Sequence, residues 1–229
     1  GTTKLSGIGN KLESFNSKER EGENRSTKRY YDGASTDDIW VVRSAGIDPA
    51  TGREIFIKKN GEYTFKYDEN ERVAVGNTNP ILQGSWMNTV RYKGFSISLA
   101  TSYTFGSDYY NSTLKNKVEN IDLDYNVDRR VFTDRWKQPG DHTRFLGIGT
   151  SSSSSQYSER FVEKRNELYI SSIQVMYDFA PKAITRLGLR KLAIGFGLSD
   201  IAHISTVKFE RGTDYPYCRG INLIFRPTF

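Results

Sequence analysis

Apolar and polar residues alternate along this chain in several long runs. The clearest is ILQGSWMNTVRYKGFSISLATSYTF, residues 81–105. After Lys93-Gly94, Phe95, Ile97, Leu99, Thr101, Tyr103 and Phe105 share one face, and Ser96, Ser98, Ala100, Ser102 and Thr104 share the other. Before it, Trp86, Val90 and Tyr92 alternate with Met87, Thr89 and Arg91. A period of two predicts β-strands with unlike faces. Lys93-Gly94 predicts a tight turn, because glycine adopts positive φ without steric cost. The same pattern sets Tyr169, Ile173, Val175, Tyr177 and Phe179 against Ser172, Gln174 and Asp178. It sets Leu192, Ile194, Phe196 and Leu198 against Ala193, Gly195, Gly197 and Ser199. In the last nine residues, INLIFRPTF, Ile221, Leu223, Phe225, Pro227 and Phe229 oppose Asn222, Arg226 and Thr228, and only Ile224 breaks the alternation. Two weaker arms are predicted at about 2–14 and about 35–45, around DIWVVRSAG. Helical periodicity is nearly absent; the best candidate, Ser112 to Ile121, is short and poorly apolar. The chain is therefore predicted to be all-β.

The arms are long. Strands of globular proteins usually run about 5–6 residues, whereas a tilted membrane-spanning strand needs about 9–11. The polar faces are rich in Ser, Thr, Asn, Gln and Gly rather than in charge. Aromatic residues gather near the arm ends: Tyr92 and Phe95 at the turn, and Tyr103, Phe105, Tyr109 and Tyr110 at the far end. Two interfacial girdles on a membrane barrel produce this distribution. Connections also tend to alternate. Residues 93–94 and 180–187 are short, 46–79 and 106–166 are long, 200–217 is intermediate, and only 15–34 is longer than the scheme expects. Short turns at one end and long loops at the other match the layout of outer-membrane barrels, with short turns and chain end toward the periplasm and long loops outside. Seven arms is an odd number, whereas bacterial barrels use even numbers and must close. The remainder of the wall is expected N-terminal to Gly1.

Composition narrows the chemistry. The chain has 229 residues and a formal net charge of +6, with no basic block, so nucleic acid is not indicated. Mean hydropathy is −0.62. No apolar run approaches the roughly 20 residues of a membrane helix, which excludes helical spans and not strands. Cys218 is the only cysteine, so no disulfide framework exists within the chain. GTTKLSGIGN lacks a charged n-region, an apolar h-region and an initiator Met, so a fragment or processed piece is expected. His142 and His203 show no HExxH spacing, and no GxSxG or phosphate-binding loop is present. Asp122, Asp124, Asn126 and Asp128 superficially echo a calcium loop, but Val127 stands where glycine is needed and Thr133 where a bidentate Glu should sit. No metal, cofactor or catalytic site is therefore expected. Tyr109, Tyr110 and Tyr125 are candidates for stacking on sugars or peptides, or equally for girdle and loop-core positions. TSSSSSQYS, residues 150–158, reads as a low-complexity loop segment.

Four stretches carry a family resemblance. GIDPATGREIF (46–56), GNTNPILQGSWMNTVRYKGFSISLATSYTFG (76–106), NVDRRVFTDRWKQPGD (126–141) and DYPYCRGINLIFRPTF (214–229) resemble, in order, the C-terminal part of SusC/RagA-type TonB-dependent transporters, outer-membrane importers of Bacteroidetes. The specific elements are Asp48, Pro49, Thr51 and Gly52 together with Asp134, Arg135, Trp136, Pro139, Gly140 and Asp141. The wording is closest to the RagA-like branch. The resemblance implies a partial antiparallel transmembrane β-barrel with long extracellular loops: about seven C-terminal strands of a roughly 22-stranded barrel. It implies further parts that this sequence does not contain, namely the earlier strands and an N-terminal plug with a segment contacting the TonB complex. It also implies a SusD/RagB-like surface lipoprotein, outer-membrane lipid around the wall, and an oligosaccharide or oligopeptide substrate. By the same resemblance Leu223, Phe225 and Phe229 are expected to form the C-terminal signal read by the barrel assembly machinery. Pro227 departs from a comfortable central strand, because it has no N–H for a ladder. The rival expectation is a free-standing soluble β-sandwich that binds glycan or protein at the cell surface.

Overall fold

The structure, a computed structural model, describes residues 3–9, 27–121, 124, 126–149, 156–208 and 219–229. The chain divides into two compact units, residues 81–106 with 165–229, and residues 1–80 with 107–164.

The first of these, the wall unit, is a five-stranded sheet in the order β5-β6-β7-β8-β9. Its strands are β5 (Leu82–Tyr92), β6 (Phe95–Tyr110), β7 (Val162–Asp178), β8 (Lys191–Ser205) and β9 (Gly220–Thr228). The β5–β6, β7–β8 and β8–β9 pairs are antiparallel. Strand order follows chain order, as in a meander. The β5–β6 hairpin closes through Lys93 (φ 45°) and Gly94 (φ 86°). Positive φ at both central residues is the turn that matches the twist of paired strands. A Cβ at Gly94 would also lie 2.9 Å from the Asp178 carbonyl oxygen. The β7–β8 connection is a single turn of helix, α3 (Pro181–Ile184), followed by a 3-10 turn ended by Gly188 at φ 68°.

The other unit, the loop unit, is built from the long connections. Its four-stranded sheet has the order β3-β2-β1-β4, with β1 (Asp38–Ile47), β2 (Glu54–Ile57), β3 (Tyr63–Thr64) and β4 (Arg72–Asn77). Two short helices, α1 (Ser112–Val118) and α2 (Arg130–Thr133), accompany it. Asn111 caps α1 through its side chain, which accepts from the Leu114 N–H. A buried cluster of Leu114, Val118, Phe145 and Phe161, with Tyr110 against it, forms a core. The segments expected to be long loops thus carry a sheet, helices and a core of their own.

The arm expected around 35–45 forms, but as β1 of the loop sheet rather than as a wall strand. Ile39, Val41 and Val42 are all buried. Consecutive buried residues need cover on both faces of a strand, which a wall strand with one apolar face does not have. The arm expected at 2–14 lies mostly outside the described residues; within 3–9, Lys4 makes one isolated bridge to Ser35. Among the described residues, the wall sheet therefore contains five of the seven predicted arms. The helix expected at Ser112 to Ile121 is α1, ending at Val118.

Candidate functional site

The cross-strand register fixes which side chains share a face of the wall. Leu82↔Phe105, Trp86↔Thr101, Val90↔Ile97 and Tyr92↔Phe95 lie together, as do Gln83↔Thr104, Ser85↔Ser102 and Thr89↔Ser98. Ile173↔Leu198, Val175↔Phe196 and Tyr177↔Ile194 continue the apolar set, and Leu223↔Phe196 and Phe225↔Ile194 extend it to β9. The predicted faces are those of the folded sheet. The apolar face is widely exposed: Trp86 57%, Val90 61%, Phe225 64% and Leu223 85%. Contiguous apolar patches on soluble monomers rarely exceed a few hundred Å².

Aromatic residues mark two levels on this face. At one end Phe95 contacts Tyr177 (ring centroids 4.6 Å), and Tyr177 contacts Phe179 (4.8 Å). At the other, Tyr103 stacks on Phe105 at 5.9 Å. Gly84 lies opposite Tyr103, and a Cβ there would meet the phenol oxygen at 2.5 Å, so the ring lies across the glycine. Ten residues separate Phe95 from Phe105 on β6. That is about 33 Å along a strand, or about 25 Å of height at a tilt near 40°, the height of a barrel's apolar band.

The C-terminal residues belong to this face. Leu223 and Phe225 stand beside Phe196 and Ile194, and Phe229, 79% exposed, follows on from them. Pro227 pairs with Leu192 of β8 and is the last but one residue of β9, so its missing N–H falls at the end of the strand. Ile224, which broke the alternation, lies on the opposite face against Gly195, where a Cβ would meet Met176 at 2.9 Å and Ile224 at 3.5 Å.

The two sequence elements in the loops come together in the loop unit. Asp48 organises a turn: its carboxylate accepts from the Ala50 N–H (3.1 Å) and the Thr51 hydroxyl (2.6 Å), and its carbonyl accepts from the Gly52 N–H (2.8 Å). The Thr51 bond holds the Asp48 carboxyl below the ordinary Asp range. The Pro49 carbonyl then accepts from both the Trp136 indole N–H (2.9 Å) and the Gly140 N–H (2.9 Å). Gly52, at φ 68°, lies under the Trp136 ring, and a Cβ there would be 2.4 Å from it. The Gly52 carbonyl accepts from the Gly147 N–H at 3.1 Å. Asp141 closes the Pro139-Gly140 turn by accepting from the Lys137 and Gln138 N–H groups, each at 3.0 Å. Asp134 accepts from the Thr133 hydroxyl at 2.6 Å. Buried Arg135 donates to three carbonyls, of Leu146 (2.7 Å), Val118 (3.1 Å) and Gly147 (2.8 Å). Burial lowers its pKa, and the charge of Glu119 opposes that. A clasp of this kind fixes loop shape; it presents no nucleophile and base to a substrate.

Below the clasp lies a buried ion network that sequence reasoning missed. Arg160 donates to Glu54 at 2.7 Å and to Glu119 at 2.8 and 3.1 Å, with all three side chains almost fully buried. Ser158 donates its hydroxyl to Glu54, and the Leu146 N–H donates to Glu119 at 2.9 Å. Burial alone would lower the Arg160 pKa, but the bonds and charges of Glu54 and then Glu119 outweigh it and hold it above its ordinary value. Nothing in the spacing of residues 54, 119 and 160 signals this; three charged residues in polar segments read as solvated. Nearby, Lys115 donates to the Gln156 carbonyl and lies 5.3 Å from the Tyr157 ring centroid. Burial lowers its pKa to about 8, against the opposing charges of Glu119 and Glu54.

Tyr110 packs in the loop core beside Tyr157 (5.4 Å) and Phe161 (6.3 Å). Asp122, Tyr125, Cys218 and residues 150–155 lie outside the described residues. Asp128 pairs with Arg130 at 2.7 Å, which holds its carboxyl well below the ordinary range. Among the described residues no group of three or more His, Cys, Asp or Glu side chains converges as a metal would need.

No family model matches the chain. The chain is 26% identical over 155 residues to TonB-dependent receptor P39 of Formosa agariphila, a match covering 66% of this chain and 15% of that protein. Among solved structures it resembles the RagAB peptide transporter (TM-score 0.65, 14% identity, 80% of this chain and 21% of that one). It also resembles the RagAB peptide importer in its open-open state (TM-score 0.63, 15% identity, 77% and 20%) and in its closed-closed state (TM-score 0.63, 15% identity, 80% and 21%). The chain thus spans between about a seventh and a fifth of the proteins it matches. None of these relatives is named as an enzyme. The sequence match and the shared fold together support the recognition made from the motifs: a SusC/RagA-type TonB-dependent transporter, represented here by part of its chain.

Proposed function

We propose that the chain is part of the wall and the extracellular loops of a TonB-dependent outer-membrane importer that takes up oligosaccharides or oligopeptides. One observation carries the reading. The five-stranded sheet exposes a continuous apolar face bounded by aromatic levels at Phe95–Tyr177 and Tyr103–Phe105. Within the wall unit, buried apolar side chains among the described residues are few, namely Ile184, Leu192 and Val207. A soluble sandwich would need a second layer over that face. Lipid supplies the cover instead, and the opposite face, with Ser85, Ser98, Ser102 and Thr104, faces the aqueous lumen.

In this reading the chain is non-catalytic and forms the C-terminal portion of the barrel, residues 1–229. The open edges of β5 and β9 pair with the remaining strands. The plug, the TonB complex and a SusD/RagB-like surface lipoprotein are partners of the whole transporter. Leu223, Phe225 and Phe229 present the assembly signal. The clasp of Asp48, Pro49, Thr51 and Gly52 with Asp134, Arg135, Trp136, Pro139, Gly140 and Asp141 holds an extracellular loop domain in shape. The similarity to peptide importers inclines the substrate toward peptides. Antibody against residues 106–166, used on outer-membrane and soluble fractions of the source cells, tests the reading. The expected result is an outer-membrane band larger than 26.1 kDa. A soluble band at 26.1 kDa would overturn it.

A further inference from the structure

Charge is spread unevenly over the wall. Within residues 81–106, 170–199 and 219–229, Asp178 is the only acidic residue. Every basic residue of these stretches except Arg219 lies at the hairpin-turn end of the sheet. Strand alternation puts Arg91, Lys191 and Arg226, with Asp178, on the Ser/Thr face. The other four, Lys93, Lys182, Arg186 and Arg190, stand in the β5–β6 turn and the β7–β8 connection and are exposed. None of the four has an acidic partner among the described residues. Backbone bonds hold both turns to the sheet. The Asp178 N–H donates to the Gly94 carbonyl (2.8 Å), the Phe179 N–H to the Leu192 carbonyl (3.0 Å) and the Arg190 N–H to the Thr228 carbonyl (2.7 Å). Buried Ile184 anchors α3. The four cations therefore stand at one end, just past the aromatic level of Phe95, Tyr177 and Phe179.

Lys93 adds a second observation. Among the described residues, it and Asp200 are the non-glycine residues at positive φ, 45° and 55°. Asp200 sits in a bulge of β8, where Ser172 pairs with Ser199 but Ile170 pairs with Ala202. A short polar side chain eases such a backbone, and lysine has no such help. The Lys93 ammonium lies 5.2 Å from the Tyr92 ring centroid. Tyr92 pairs with Phe95 on the apolar face, so this charge stands at the border of that face.

We propose that the turn end of the wall binds the phosphate headgroup of an anionic glycerophospholipid whose acyl chains pack on the apolar face. The proposal rests on the membrane reading above, in which the short turns meet the periplasmic leaflet. Residues 93–94 and 179–190 hold four cations and no acid, which sets the sign of the site. Arg186 and Arg190 suit phosphate oxygens through paired N–H groups, and Lys93 and Lys182 through point charge. Long basic side chains lay their stems on apolar surface and keep their charge at headgroup depth. Each cation near an anionic leaflet adds to the attraction, which favours a net-anionic headgroup over a zwitterionic one.

The test uses the full-length transporter purified from outer membranes in mild detergent. Native mass spectrometry compares retention of phosphatidylglycerol with that of phosphatidylcholine of the same acyl chains. Wild type is expected to retain phosphatidylglycerol preferentially. Lys182→Gln, Arg186→Gln and Arg190→Gln together should weaken that retention by about fivefold per removed cation. Arg186→Lys should leave most of it. Lys93→Asn should weaken it about fivefold while keeping the barrel at least as heat-resistant, because Asn takes the left-handed backbone more readily. Arg91→Gln, at the same end on the Ser/Thr face, should change nothing. Heat-modifiable migration on gels verifies that each variant is a folded barrel. Equal retention by the folded triple variant and wild type, or equal loss from Arg91→Gln, overturns the proposal while leaving the membrane reading intact. Displacement by inorganic phosphate overturns the lipid as the source. A protein absent from the outer-membrane fraction overturns both readings.

Discussion

Gly52→Ala is expected to loosen the loop clasp far more than its single methyl group suggests. Gly52 sits at φ 68°, and the new Cβ would lie 2.4 Å from Trp136 Cδ2 and Cε3. The left-handed backbone costs an L-residue about 1–2 kcal/mol. Overlap with a fixed ring adds about 1–3 kcal/mol. The ring cannot swing aside cheaply, because its indole N–H donates to the Pro49 carbonyl at 2.9 Å; losing that bond costs about 1 kcal/mol. The sum is about 3–6 kcal/mol on the opening of the loop unit. Gly61→Ala provides the control, since Gly61 also has positive φ (90°) and its Cβ would meet nothing within 4 Å. Limited proteolysis of the loops in isolated outer membranes measures the open population. Gly52→Ala should be cleaved about tenfold faster than Gly61→Ala, or more. Adding Trp136→Ala should remove part of the Gly52→Ala penalty, so that the pair is non-additive. Equal cleavage of the two alanine variants, or strict additivity with Trp136→Ala, would refute the steric reasoning.

Three further outcomes are expected. Leu99→Arg, on the apolar face opposite Asn88, should cost about 2–4 kcal/mol in barrel stability near the bilayer midplane, while Ser98→Arg, on the face of Thr89, should be much milder; equal loss of heat-modifiable barrel from the two would show the faces to be misassigned. Arg160→Met strands Glu54 and Glu119 as buried carboxylates and should destabilise the loop unit by about 3–5 kcal/mol, read by the same proteolysis; a cost below that of Gly61→Ala would exclude the network as a structural element. Lys115 has its folded pKa lowered to about 8 from 10.5, so the unfolded chain binds the extra proton and loop stability should rise as pH increases from about 8 to about 10.5. Lys115→Met should flatten that slope, and a slope unchanged by the substitution would assign it to other groups.

The wall was largely legible in the sequence, because a period of two states which residues share a face wherever one face is apolar. Phe95 to Phe105, Ile173 to Phe179 and Leu192 to Leu198 needed no tertiary information, and Lys93-Gly94 announced its own turn. The pattern misled at DIWVVRSAG, where Ile39, Val41 and Val42 are buried on both faces; a short apolar run does not tell which sheet will cover it. It was silent on the bulge at Asp200, since one extra residue changes register without changing composition. The motifs named Asp48, Gly52, Trp136 and Gly140 in the sequence, but not that they meet.

Strand, face, turn and the amphipathic end at Phe229 are local properties, each set by neighbours one or two residues away. The clasp and the ion network are non-local and come from the fold. The clasp joins residues 49 and 136, and the ion network joins 54, 119 and 160. Their bonds form between groups that chain spacing leaves independent, and they become favourable only once the loop unit has excluded water from around them.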